Sequence, residues 1–375
     1  MWHTSRIPGP TWLPVLFVLF VLFGLLSVSV GAEESRPRRN WGVAPLPIVA
    51  YSPDYGGMFG AVAIFFYGPD VGVPEAERQG FRNNTLALNA IVTTNGSFIG
   101  AVAGTNYLRN ERFRWDNTLS GNRIPRTFFG LGPEADLEEK YAALSLGGST
   151  TFTVQAARDL FVGPLYEYRY VEIGDLESEG VLRTGAVRGS DDTSIASGMG
   201  LRGIRDTSGG GFWPTGGYVL DTDVRYFPEA LGSTDTFGLY GADFRRYVSV
   251  FGRHVLALQG RYRGSWGDVP FHFLPSVGGD GAMRGLLEHR YRDETAATVQ
   301  AEYRLPINDR FGVVGFLSAG QVAESVEKMD LTDPRVAGGI GFRVALNREQ
   351  KLNLRIDIAF SSMGVSPYVN VREAF

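Results

Sequence analysis

From residue 43 onward, apolar and polar residues alternate one by one over stretches of about ten. Residues 299–305, VQAEYRL, set Val299, Ala301, Tyr303 and Leu305 against Gln300, Glu302 and Arg304. Residues 352–360, LNLRIDIAF, set Leu352, Leu354, Ile356, Ile358 and Phe360 against Asn353, Arg355 and Asp357. In 218–226, Asp221, Asp223 and Arg225 oppose Leu220, Val224 and Tyr226, and in 166–170 three tyrosines oppose Glu167 and Arg169. A period of two is that of a strand with one side against an apolar medium. In a soluble sandwich that medium is the protein core. In an outer-membrane barrel it is lipid, and the polar side faces the lumen.

Four features favour the barrel over the sandwich. The chain opens with Arg6, an apolar run from Leu13 to Val30 and small residues at Gly31 and Ala32, the pattern of a cleavable signal peptide over 1–32. An uncleaved inner-membrane anchor is the other reading of that run. The strands are long enough to cross a bilayer when tilted. Their polar sides carry arginines and acids together, as a crowded lumen requires. The last residue, Phe375, is the aromatic end typical of such barrels. The fold expected is a 16-stranded antiparallel transmembrane β-barrel over 43–375, with a short periplasmic lead at 33–42. Strand starts are expected near Val43, Met58, Asn83, Ser97, Glu111, Tyr141, Leu160, Ser194, Thr215, Thr236, His254, Thr295, Phe311, Arg335, Lys351 and Ser366. With the amino end in the periplasm, the long external loops fall near 121–139, 174–193 and 267–293. Residues 68–79 are expected to form an unusually long periplasmic turn.

Composition narrows function. Without residues 1–32 the chain holds 35 basic and 40 acidic residues, a net charge of −5, which argues against nucleic-acid binding. Cysteine is absent, so disulfides and thiolate chemistry are excluded. There is no Gly-x-Ser-x-Gly, and His254, His272 and His289 lack metal-ligand spacing. No enzyme, cofactor or metal is expected. The acidic stretches PEADLEEK and DLESEG are expected to be solvated loops.

The stretch GGDGAMRGLLEHRYRD, residues 278–293, places an arginine between glycines in the sixth external loop. Here the chain resembles the BamA/TamA outer-membrane assembly superfamily, the bacterial surface antigen family. Its sixth loop carries Val-Arg-Gly-Tyr/Phe, where this chain has Met283-Arg284-Gly285-Leu286 after Gly278-Gly279. The same order of motifs continues with QAEYRLP at 300–306, GIRDTSGGGFWPTGGY at 203–218 and YSPDYG at 51–56. The family's Phe-x-Asp-x-Gly is departed from: residues 316–320 read FLSAG, with Ser318 in place of the aspartate.

The resemblance implies a loop folded into the lumen. A guanidinium there needs a carboxylate; Glu302, with Asp357 nearby, is the expected partner of Arg284. It also implies a barrel that assists insertion or movement of polypeptide, or of lipid, by strand pairing at the seam between first and last strands. The implied partners are outer-membrane lipid, client outer-membrane proteins and the machinery that assembles barrels. Tyr368 and Phe375 form the expected carboxy-terminal assembly signal, while Glu373, in a regular strand, would point to lipid. About ten residues separate Ala32 from the first strand, too few for the family's periplasmic POTRA domains. A passive pore or purely structural barrel is the alternative, and Asp221, Asp223, Arg225, Asp243, Arg245, Arg261, Arg263, Arg304, Arg343 and Arg355 are expected to neutralise one another in the lumen.

Overall fold

The structure, a computed structural model, describes residues 41–68, 84–109, 111–190, 193–209, 213–347, 352–371 and 373–375. The leader expected at 1–32, most of the lead at 33–42 and nearly all of the turn at 68–79 lie outside these residues.

The barrel strands are β1 (Trp41–Ser52), β2 (Gly56–Tyr67), β3 (Asn84–Thr93), β4 (Phe98–Leu108), β5 (Phe113–Phe128), β6 (Glu139–Ala157), β7 (Leu160–Gly174), β8 (Thr193–Asp206), β9 (Tyr218–Phe227), β10 (Phe237–Ser249) and β11 (Val255–Gly267). A small ribbon, β12 (Ser276–Val277) with β13 (Tyr291–Arg292), lies in the next loop. Then come β14 (Thr295–Pro306), β15 (Phe311–Ala323), β16 (Arg335–Asn347), β17 (Leu352–Ser361) and β18 (Gly364–Val371). All but the ribbon join, antiparallel and in chain order, into one closed barrel of 16 strands. No helix among the described residues is long and apolar enough to cross a membrane; this chain crosses with strands.

The alternation decides which face is which. Val299 is 60% exposed, and Leu317, Ile340 and Val365 are exposed to a similar degree, whereas Glu302 and Arg304 are fully buried. No water-soluble protein places its aliphatic rows outside and its ions inside. Lipid is therefore the solvent of the outer face, and strand pairing around the closed barrel satisfies the backbone that faces it. The polar side chains meet in the lumen. Arg202 pairs with Asp221 at 2.6 Å, Arg225 with Glu167 and Asp223 at 2.8 Å each, and Arg245 with Asp243 at 3.0 Å. Arg263 reaches Asp223 and Arg261 reaches Asp243, both at 3.4 Å.

One expected loop, 121–139, is nearly half strand. Residues 121–128 belong to β5, which pairs with β6 up to Phe128↔Glu139. The two outgrow the membrane and bury their outer ends under other loops: the Phe128 and Tyr141 rings meet Phe271 at 5.2 and 5.7 Å. Phe227, Phe237 and Leu182 complete this external apolar cap. His272 lies beside it, packed on Phe271 and Phe273, and burial holds its imidazole neutral with a pKa lowered to about 3.

Candidate functional site: the loop arginine and the seam

After β11 the sixth loop turns into the barrel. The Gly279 and Met283 amides donate to Leu286 and Gly279 carbonyls, closing a tight turn. Met283 and Leu286 are buried with Val277, Tyr291, Ala296, Val322 and Ala337, so the aliphatic Leu286 fills the place of the family's aromatic residue. Two glycines are required by space. Gly278 has φ +124°, and a Cβ would stand 1.9 Å from the Leu287 carbonyl oxygen. Gly285 has φ +109°, and a Cβ there would press on the Ala337 Cβ at 3.1 Å. That approach lets the Gly285 amide donate to the Tyr368 hydroxyl (2.9 Å) while its carbonyl accepts from Ser361 Oγ (2.7 Å).

The fold aims Arg284 at two walls of the lumen. Its Nη2 donates to Glu302 Oε2 on β14 at 2.6 Å and its Nη1 to Asp357 Oδ2 on β17 at 2.5 Å. The Phe316 ring stacks 3.7 Å from its guanidinium carbon. Thus the phenylalanine of the FLSAG motif touches the arginine, while Ser318 donates instead to the Ala337 carbonyl. Neither carboxylate belongs to Arg284 alone. Glu302 also accepts from Arg304 Nε at 2.8 Å, and Asp357 from Arg343 Nη1 at 2.5 Å. Arg355 pairs with Asp280 of the loop. Charge-assisted, fully buried pairs of this kind lock a loop because breaking one strands its partners in a dry space.

The first-strand motif is the other anchor. Asp54 and Tyr55, in the β1–β2 turn, both reach Glu288: Asp54 Oδ1 accepts its amide (2.5 Å), and the Tyr55 hydroxyl donates to its carboxylate (2.8 Å). Arg126 adds a third contact at 3.3 Å. Burial pushes the Asp54 carboxyl up to about 6 against the lowering effect of the Glu288 amide, and pushes the Tyr55 phenol above its usual range. YSPDYG marked the region in sequence, but nothing there named Glu288 as its partner.

The seam differs from every other strand junction. β1 pairs with β2 along its whole length, from Trp41↔Tyr67 to Ser52↔Gly56. With β18 it shares, among the described residues, a single bridge, Tyr51↔Val369. Extending that register sets Pro47 opposite Glu373 and Pro45 opposite Phe375. Proline has no N–H to give, and within a sheet it is tolerated only where that gap faces an edge. Because β1 is fully paired on its β2 side, the missing donors face the seam.

The carboxy-terminal residues take another course. The strand stops at Val371, and Glu373 is buried on Arg343 Nε (2.7 Å) and Asn353 (3.1 Å) rather than turned to lipid. Phe375 crosses to Tyr247, Val255 and Ala257, and its carbonyl accepts from Arg304 Nη2 at 2.9 Å. The expectation that a regular strand would aim Glu373 outward therefore fails, because the strand ends first. Tyr368 faces the lumen as well, holding Gly285.

Comparisons agree with this geometry. The Omp85 superfamily domain matches residues 82–364. No curated protein matches the chain. Among solved structures, BamA from Haemophilus ducreyi lacking POTRA domains 1–3 superposes with TM-score 0.61 and 14% identity, over 89% of this chain and 70% of that one. CdiB from Escherichia coli gives 0.58 and 11%, over 90% and 63%. CdiB from Acinetobacter baumannii gives 0.55 and 11%, over 89% and 60%. This chain thus spans less than two thirds of either CdiB structure. The domain match and the closed barrel together point to a bacterial outer membrane, and the match extends over more than half of the residues: the chain belongs to the Omp85 superfamily.

Proposed function

We propose that this barrel assists the insertion or translocation of polypeptide at the outer membrane, with the β1–β18 seam as the opening and loop six as the internal brace. The observation that carries this reading is the single bridge Tyr51↔Val369 in a barrel whose other neighbouring strands pair over eight or more residues. An unpaired strand edge is a template for another strand. The seam is thus the cheapest place to open, and the buried arginine cluster keeps the rest of the wall closed while it does. The reading needs neither a catalytic residue nor a metal.

A second reading, a structural or passive barrel, draws support from the prolines: an edge lacking donors at Pro45 and Pro47 is a poor template over its lower half. One experiment separates them. A photo-crosslinker at Val49, installed in cells, is expected to capture newly exported barrel proteins. Capture of β18 alone, together with a large steady conductance in planar bilayers, overturns the first reading in favour of the second.

A further inference from the structure

The four strands from β1 to β4 contain no Asp, Glu, Lys or Arg. Their outer face is apolar, as lipid demands: Val49, Phe59, Leu86 and Leu88 are exposed. The cross-strand register shows that their lumenal face is apolar too. Ile48, Gly60, Ile91 and Ile99 form one inward row, and Ala44, Ile64, Ala87 and Ala103 another. Between them runs Leu46, Val62, Asn89 and Ala101, with a single polar member. A water-filled lumen is normally polar on this face. Several of these side chains are small, so the wall leaves open space instead of filling it. The result is a cavity of about 680 Å³ bounded by Leu46, Ile48, Val62, Ile64, Ala87 and Ile91 and closed on one side by the Gly278–Ala282 backbone of loop six. Polar groups line the rest: Asp54, Tyr55 and Glu288 at its outer end, Asn89 on β3, and Arg261, Asp280 and Asn370 towards loop six, where Asp280 is paired with Arg355 and Asn370. Apolar cavities hold water poorly and accept hydrocarbon.

The cavity also reaches the seam. Ala50 and Val371, on the two strands of the seam, both line it. Below Tyr51 no bridge joins β1 to β18 among the described residues, so the lumenal apolar wall continues towards the lipid-facing surface without a charged side chain on β1 to β4. We infer that this groove binds an acyl chain of a membrane lipid, admitted sideways through the seam from the surrounding leaflet. The inference goes beyond polypeptide insertion: it requires hydrocarbon to cross the seam, not strand addition at it. A lipid held there covers the apolar lumenal face that the fold leaves bare, and its departure frees the space next to loop six.

The test uses the full barrel reconstituted in phosphatidylethanolamine and phosphatidylglycerol vesicles containing a phospholipid with a diazirine in its acyl chain. After illumination, adducts are mapped by mass spectrometry. Expected are adducts on the inward positions Leu46, Val62, Ile64 and Ile91 as well as on outward Phe59, Leu86 and Leu88, with none on inward Arg202 or Asp223. Ala87→Phe, which fills the groove, and Ile91→Asp, which places a charge in it, should each lower the inward adducts several-fold and spare the outward ones. Adducts confined to the outward rows, or spread evenly around the lumen, overturn the inference. Because the wild-type map alone decides, misfolding of a variant leaves the test intact, and the outcome is independent of client capture at Val49.

Discussion

Two arcs of one barrel solve the lumen differently. From β7 to β17 the inner face is built of arginines and carboxylates that consume each other's charge: Glu167 with Arg225, Asp243 with Arg245, Glu302 with Arg284 and Arg304, Asp357 with Arg343. From β1 to β4 the inner face carries no charge and small side chains, and the arc ends in a seam of one bridge. The ionic arc is expensive to disturb, since each carboxylate serves more than one arginine. The uncharged arc has little to lose by moving. Rigidity and openness are thus separated around the circumference, and loop six joins them: Arg284 is rooted in the ionic arc, while Glu288 ties to the β1–β2 turn at the edge of the other.

The largest effect is expected at Glu302. Glu302→Lys removes the carboxylate that holds Arg284 and Arg304 and adds a cation, for a loss of about 3–5 kcal/mol or more. The measurement is the temperature at which folded gel mobility is lost. Arg284→Glu in the same chain should recover part of that loss by reversing the pair, and strict additivity of the two changes would show that the contact carries no coupling. Gly285→Val is next. At φ +109° with Ala337, Ala359 and Ser361 around it, a branched side chain has no room, and a cost on the order of 2 kcal/mol is expected. That variant should also loosen the loop, seen as faster proteolysis between residues 278 and 290.

A smaller, pH-dependent effect belongs to the turn of the uncharged arc. Asp54 has its folded-state pKa raised from 3.8 to about 6 by burial. A raised pKa means that the neutral form is the one the docked turn prefers. Docking is therefore fully supported below pH 4 and weakens as pH rises through 6. The raised value corresponds to about 3 kcal/mol at neutral pH, and solvent contact reduces this to the order of 1 kcal/mol. Asp54→Asn keeps the acceptor oxygen and removes the charge. It should protect loop six from hydrogen exchange at pH 7.5 and abolish the difference between pH 5 and 7.5 seen in the wild type. Equal pH dependence in both proteins would place the titration elsewhere.

Most of the barrel was legible because lipid enforces period two, broken in register only between Gln155 and Ala157 and between Ala345 and Asn347 among the described residues. Rows such as Val299, Ala301 and Tyr303 must all face outward, and the expected strand starts fall close to the observed ones, the widest gap being Thr215 against Tyr218. The pairing of Arg284 with Glu302 followed from parity and charge once the loop was placed inside. The extension of β5 and β6 did not show, because above the membrane polar and apolar residues mix and the period fades; Arg123 and Arg126 read as loop. Nor did the inward turn of Glu373 and Phe375, whose seats are Arg343 and Arg304 and whose places across the seam face Pro45 and Pro47, more than three hundred residues away. Contacts of that span are set by closure of the barrel, and no local pattern encodes them.

Those prolines offer the finest test of the comparison between the arcs. If the seam is weak because β1 lacks donors, restoring them should make the uncharged arc close like the rest. Pro45→Val with Pro47→Val supplies two amides at about 1 kcal/mol each when paired, on a strand where valine suits both the backbone and the lipid. Residues 373–375 then face a choice between the new partners and their lumenal seats on Arg343 and Arg304. Two hydrogen bonds should not outweigh the buried pair of Glu373 with Arg343, so the double variant alone is expected to shift the seam only slightly. Adding Glu373→Val removes the ionic seat, and β18 should then zip along β1. A cysteine pair at positions 46 and 374, which the same register sets opposite each other and which none of these changes touches, should crosslink readily in that background, whereas the same pair in the otherwise unchanged chain should crosslink poorly. Efficient crosslinking in both would mean that the strand already reaches past Val371, and that the weakness of the seam has another origin than its prolines.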